Sequence, residues 1–165
     1  MSRSRFSSLV ILSLLCLLSL PANAVDRRGR LGVGVSNQLK TDAPALSFKL
    51  QQSRSSSIAG LASVDTGKDG GFGAGLKIHR HFFEEPHLIF YGAILGAYLS
   101  DKRGQSALDV SGFQFDFTVG AEFHFAGLKS LGFHFETGIS LNKLDEFVVQ
   151  TVGSEFLVMG VHFYF

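Results

Sequence analysis

The chain of 165 residues has no tryptophan, three prolines and one cysteine. A single cysteine cannot build a disulfide framework, and Cys16 sits in an N-terminal apolar run, so thiol chemistry is not expected of the rest. With so few prolines, long stretches keep every backbone N–H available to a ladder. Neither sign of charge dominates, since 15 Lys and Arg stand against 14 Asp and Glu. That balance gives no electrostatic case for nucleic acid, which is not expected as a partner. Long apolar runs are also missing beyond the N-terminal segment. The nearest, residues 88–99, is broken by Gly92 and Gly96 and falls short of the roughly 20 residues a spanning helix needs.

The first 24 residues form a unit of their own. Arg3 and Arg5 give a positive start, residues 9–20 an apolar run, and Ala22-Asn23-Ala24 a small-x-small cleavage site. Together these predict a cleaved secretory signal peptide. Cys16 follows Leu15, where a lipoprotein signal wants a small residue, so lipidation is not expected. Cleavage after Ala24 leaves residues 25–165 as one domain and removes two arginines, taking the formal net charge from +1 to −1.

Glycine (19) and phenylalanine (17) are abundant, and they alternate. Residues 113–125 put Phe113, Phe115, Phe117, Val119, Ala121, Phe123 and Phe125 on one face, with Gln114, Asp116, Thr118, Gly120, Glu122 and His124 on the other. A period of two is the signature of a strand between two different environments. The same pattern recurs at residues 31–37, 45–51, 72–79 and 131–141, and again in the last ten residues, 156–165. Residues 57–64 are small on both faces and residues 88–99 apolar on both, so each is expected as a strand of unresolved phase. Residues 80–86 are expected as a connection. The longer loops, 38–44, 65–71, 100–112 and 142–153, alternate with short turns, and Phe147-Val148-Val149 is expected to extend a neighbouring strand. The fold class expected is all-β, an eight-stranded antiparallel up-and-down barrel that crosses a membrane, with the longer loops outside the cell.

Three arguments turn the apolar face outward. The bulk of the phenylalanine face, repeated round eight strands, overfills a small lumen. Glycines gather on the opposite face, where crowding favours them. That face also holds charges able to neutralise one another, Lys49 and Lys77 against Asp116, Glu122 and Glu136. A lysine facing mid-bilayer lipid would cost about 2–4 kcal/mol. Tyr91, Tyr98, Phe82, Phe83 and residues 163–165 are expected as an interfacial girdle.

With its leader, its amphipathic strands and a terminal strand ending in Phe, the chain resembles small outer-membrane barrels of the OmpA transmembrane-domain, OmpX and OmpW type. Gly160-Val161-His162-Phe163-Tyr164-Phe165 is similar to the C-terminal signal such barrels present, with Val161, Phe163 and Phe165 as its apolar positions. Gly120-Ala121-Glu122-Phe123 and Leu131-Gly132-Phe133 are similar to stretches of uncharacterised bacterial β-barrel-domain proteins. The resemblance implies residence in the outer membrane, lipid and the barrel assembly machinery as partners, and a monomer.

His79, His124, His134 and His162 fall on the inner face toward the short-turn end, and folding about residues 126–130 brings Glu122 near His134. A His/Glu cluster can ligate a transition metal. These histidines, however, lie on four strands without local ligand spacing, so a hydrogen-bonded filled lumen is expected instead, with no metal and no cofactor. Some barrels of the resembled group deacylate lipid A with a His-x-Ser arrangement. No histidine here precedes a serine at that spacing, there is no Gly-x-Ser-x-Gly elbow, and no catalytic residue is expected. A structural, surface-contact role leads. A narrow channel for small molecules and a secreted barrel binding an apolar ligand are the alternatives.

Overall fold

The computed structural model describes residues 28–67, 70–102, 109–144, 146–153 and 156–165. The expected leader, residues 1–24, and the centre of the expected 100–112 loop lie outside the described residues. The strands are β1 (Leu31–Ser36), β2 (Ala45–Gln51), β3 (Ser56–Val64), β4 (Gly71–Glu85), β5 (Leu88–Lys102), β6 (Asp109–His124), β7 (Leu131–Lys143), β8 (Phe147–Thr151) and β9 (Val158–Tyr164). Each of β1 to β7 pairs antiparallel with the next, β9 pairs with both β7 and β1, and the ring closes as an eight-stranded meander barrel.

The strands of the closed ring alternate between an inner and a more exposed outer face, because closure gives the sheet one narrow interior and one wide exterior, whereas β8, outside the ring, is exposed throughout. On β6, Gln114, Asp116, Thr118, Glu122 and His124 are buried, while Phe113, Phe115, Phe117, Val119 and Phe123 are exposed. The two open phases resolve. Ser57, Ala59, Leu61 and Ser63 of β3 point inward, as do Ile89, Tyr91, Ala93, Leu95, Ala97 and Leu99 of β5.

Four expectations need correction. Residues 80–86 are not a connection. β4 runs to Glu85, and a register shift between His81 and Phe83 absorbs one extra residue as a bulge, leaving a tight turn at Pro86 and His87. Residues 142–153 are not a loop throughout: β7 runs to Lys143, and Phe147-Val148-Val149, expected to extend a strand, does so within β8. β8 continues the β7 ladder beyond the barrel and β9 resumes four residues out of register, with Thr151 opposite Ile139 but Val158 opposite Glu136. At the joint Val152 is buried while Phe156 is exposed and holds φ at 92°, a region large side chains rarely adopt. The β1–β2 loop does not face outward throughout, because Gln38 and Leu39 are buried inside the barrel. Finally, Tyr91 and Tyr164 are not girdle residues. Both rings are buried in the lumen, whereas Tyr98, Phe82, Phe83, Phe163 and Phe165 are exposed.

The β1–β9 seam tests the closure. A side chain at Gly34 would run into the backbone carbonyl of Val161, whereas one at Gly60, on the outer face, would meet nothing. Gly34→Val should therefore abolish the gel-mobility difference between unboiled and boiled samples that marks a folded barrel, and Gly60→Ala should keep it.

Candidate functional site

The lumen collects the polar side chains of six strands and one loop into a connected network. Its centre is Glu136 on β7. Both carboxylate oxygens lie 2.6 Å from the Lys77 ammonium, Tyr91 Oη donates to Oε1 at 2.8 Å, and Thr118 Oγ1 donates to Oε2 at 2.7 Å. Four charge-assisted or hydroxyl bonds on one buried carboxylate offset the loss of its water. Lys77 also donates to Gln38 Oε1 at 2.5 Å.

From Gln38 the network climbs. Its amide nitrogen donates to Asp116 Oδ2 at 3.0 Å, as does that of Gln114 at 2.8 Å, and Gln114 Oε1 accepts the backbone N–H of Lys40 at 3.0 Å. The Lys40 ammonium reaches across to the Gly153 carbonyl at the split in the last strand. Partial burial lowers the Lys40 ammonium below the usual lysine range, against the attraction of Asp116. Leu39, between these two polar residues, packs into an apolar plug of Ala45, Ala59, Leu61, Leu95, Ala97 and Leu99. The loop thus closes that half of the lumen with one apolar residue and two polar ones.

Toward the short-turn end a second centre forms on Glu122 of β6. Lys49 pairs with Oε2, while Tyr164 Oη at 2.7 Å and His124 Nε2 at 2.8 Å address Oε1. His124 Nδ1 faces the Leu131 carbonyl at 3.0 Å. The Lys49 ammonium also lies 5.2 Å from the centroid of the Tyr91 ring, which links the two centres.

The remaining histidines line the same end. His134 and His162 stack at 5.0 Å between centroids, beside Gly160, where any side chain would occupy the space of the His134 ring. His162 Nε2 lies 2.8 Å from Ser47 Oγ, and His79 packs edge-on against Tyr91 at 5.1 Å. Glu122 and His134 are opposite each other in the β6–β7 ladder, yet the carboxylate turns to Lys49, His124 and Tyr164. Among the described residues no group of three or more His, Cys, Asp or Glu is arranged to hold a metal ion. Among the described residues, buried polar atoms without a protein partner are Ser36 Oγ, Asp116 Oδ1, Ser140 Oγ, Asn142 Nδ2 and the Nδ1 atoms of His134 and His162.

Every inner-face residue singled out from the sequence is therefore buried: Lys49, Lys77, His79, Asp116, Glu122, His124, His134, Glu136 and His162. The sequence reading missed Gln38, Gln114, Thr118, Tyr91 and Tyr164 as members of the network. Gln114 and Thr118 share the inner phase of Asp116, and that phase alone could have found them. Truncating one partner of the central pair should expose its cost. Lys77→Met leaves Glu136 buried without its cation and should lower the unfolding free energy in urea by about 3–5 kcal/mol. Lys77→Met with Glu136→Leu should recover most of that loss.

No protein-family model and no curated protein sequence matches the chain. Among solved structures it is similar to the N-terminal β-barrel domain of Pseudomonas aeruginosa OprF, with a TM-score of 0.59 and 13% sequence identity, over 84% of this chain and 98% of that one. At that identity the likeness is one of fold: both chains are closed β-barrels of the same architecture.

Proposed function

We propose that the chain is an integral outer-membrane β-barrel with a side-chain-filled lumen, serving a structural role and presenting its longer loops for surface contact. The observation that carries this reading is the outer face. Leu46, Phe48, Leu76, Ile78, Ile94, Phe115, Phe117 and Ile139 are all exposed, while Lys49, Lys77, Asp116, Glu122 and Glu136 are buried inside. Monomeric proteins in water rarely expose contiguous apolar patches beyond a few hundred Å², and a belt spanning the barrel wall belongs against hydrocarbon. The opposite arrangement, an apolar lumen under a polar coat, is what a soluble ligand-binding barrel requires.

The rest of the reading follows from that environment. Residues 1–24 act as the leader that exports the chain. The barrel assembly machinery takes up the C-terminal strand through Val161, Phe163 and Phe165, of which the two phenylalanines are exposed. The turns at residues 52–55, 86–87 and 125–130 face the periplasm. The barrel works as a monomer without a cofactor, and the paired charges of the lumen serve as its core.

A narrow passage is the second reading. The buried unpartnered atoms Asp116 Oδ1, Ser140 Oγ and Asn142 Nδ2 favour it, since such atoms are places for water. Leu39 and its apolar neighbours stand across that route.

Two measurements test the proposal. The chain expressed with its leader should fractionate with outer membranes and change gel mobility on boiling. Recovery in the soluble periplasm would refute the membrane assignment. In planar bilayers the purified barrel should stay electrically silent, whereas stepwise conductance would favour the passage.

A further inference from the structure

The apolar outer face carries a charge among its large side chains. Among the described residues, Arg80 is the one cation on that face away from a strand end, between the exposed side chains of Ile78 and Phe82. Its guanidinium donates to Ser55 Oγ at 3.3 Å, and no described carboxylate pairs with it. Beside it the wall dips into a groove of about 620 Å³, floored by Gly92 and walled by Ile78, Phe82, Ile94, Phe117 and Val119. A second groove of about 370 Å³ runs over Gly120 and Ala121, and Phe82, Val119 and Thr137 line both. Both are apolar, and the shared residues form a ridge between them.

The register fixes their slope. Arg80 is level with Ser56, the first residue of β3 after the 52–55 turn, and with Gly92. The same row continues through Val119 to Thr137, well inside β7. Measured from the 52–55 turn, the row starts at the periplasmic end of β3 beside Arg80 and ends well inside β7, while β4 itself continues past Arg80 to Glu85.

We propose that this surface seats one diacyl glycerophospholipid of the periplasmic leaflet, its phosphate on the Arg80 guanidinium and one acyl chain in each groove. The assignment rests on the membrane reading above. A guanidinium is a planar fork that matches phosphate oxygens two at a time, and its long stem reaches from an apolar wall to the headgroup level. The phosphate supplies the counter-charge that no described carboxylate gives Arg80. Two channels meeting at a ridge suit two chains joined at one glycerol, and the uphill course suits a lipid whose head lies at the periplasmic surface.

Native mass spectrometry of the barrel refolded in detergent micelles tests this seat. Phosphatidylglycerol would be titrated against diacylglycerol carrying the same chains but no phosphate. One phosphatidylglycerol should be retained per barrel and diacylglycerol should not. Arg80→Gln should weaken retention about tenfold, the scale of one charge-assisted bond. Gly92→Leu should weaken it similarly by filling the floor. A Cβ there meets the exposed Phe82 ring at 2.9 Å, so only a surface side chain has to move. Equal retention by the wild type and Arg80→Gln, equal binding of diacylglycerol, or no effect of Gly92→Leu would each overturn the proposal. A barrel that shows no mobility change on boiling in the same micelles would instead remove the membrane reading, and the lipid seat with it.

Discussion

The interior of an eight-stranded ring is too narrow for a bulk-water channel and too wide to be closed by the backbone alone. Whatever points inward must fill that space and be satisfied there, and the rest of the architecture follows from this constraint. Lys77 and Glu136, then Lys49 and Glu122, meet across the lumen from strands far apart in sequence. Each carboxylate also receives a tyrosine hydroxyl, from Tyr91 and Tyr164 respectively. Buried ion pairs stabilise only when their remaining lone pairs are occupied, so the tyrosines are as necessary to the arrangement as the lysines.

The same constraint explains why the lumen has two chemistries. Along β5 the inner residues change from Ile89 and Tyr91 to Leu95, Ala97 and Leu99, and the apolar stretch is met by Leu39 from the β1–β2 loop. Outward bulk and inward bulk thus come from different needs. Phenylalanines on β6 cover the outside of the wall, while leucines on β5 seat a plug. In the sequence, both produce apolar residues, and only the first leaves a polar partner set between them.

This difference sets what could be read from the residues alone. Strands β2, β4, β6 and β7 were legible because their inner faces are polar, so alternation separates the two environments. β5 kept its phase hidden because its inner face is apolar over the plug. Tyr91 reads locally as a girdle aromatic, and the reason it turns inward lies on β7, at Glu136. Gln38 looks like any loop residue until folding brings it between Lys77 and Asp116. The charges of the network were visible in sequence, and Gln114 and Thr118 share their phase; Gln38, Tyr91 and Tyr164 were not, since they answer to partners dozens of residues away.

The β1–β2 loop also bears on closure. The β1–β9 ladder extends only from Gly32 opposite Tyr164 to Ser36 opposite Gly160, whereas β5 and β6 stay paired from Leu88–Phe123 to Lys102–Asp109. Above Ser36 the last strand has left the barrel register and continues as β8, paired to β7 alone. A short seam beside an unpaired edge is where a barrel should open first. Here the loop crosses that gap. Asn37 exchanges bonds with Met159, its backbone N–H donating to the Met159 carbonyl and its side-chain oxygen accepting the Met159 N–H. Lys40 reaches the Gly153 carbonyl from the same side, while Gln38 holds the loop down into the lumen. The segment that fills the barrel is therefore also the one that fastens its weakest edge, and loss of either function would compromise the other.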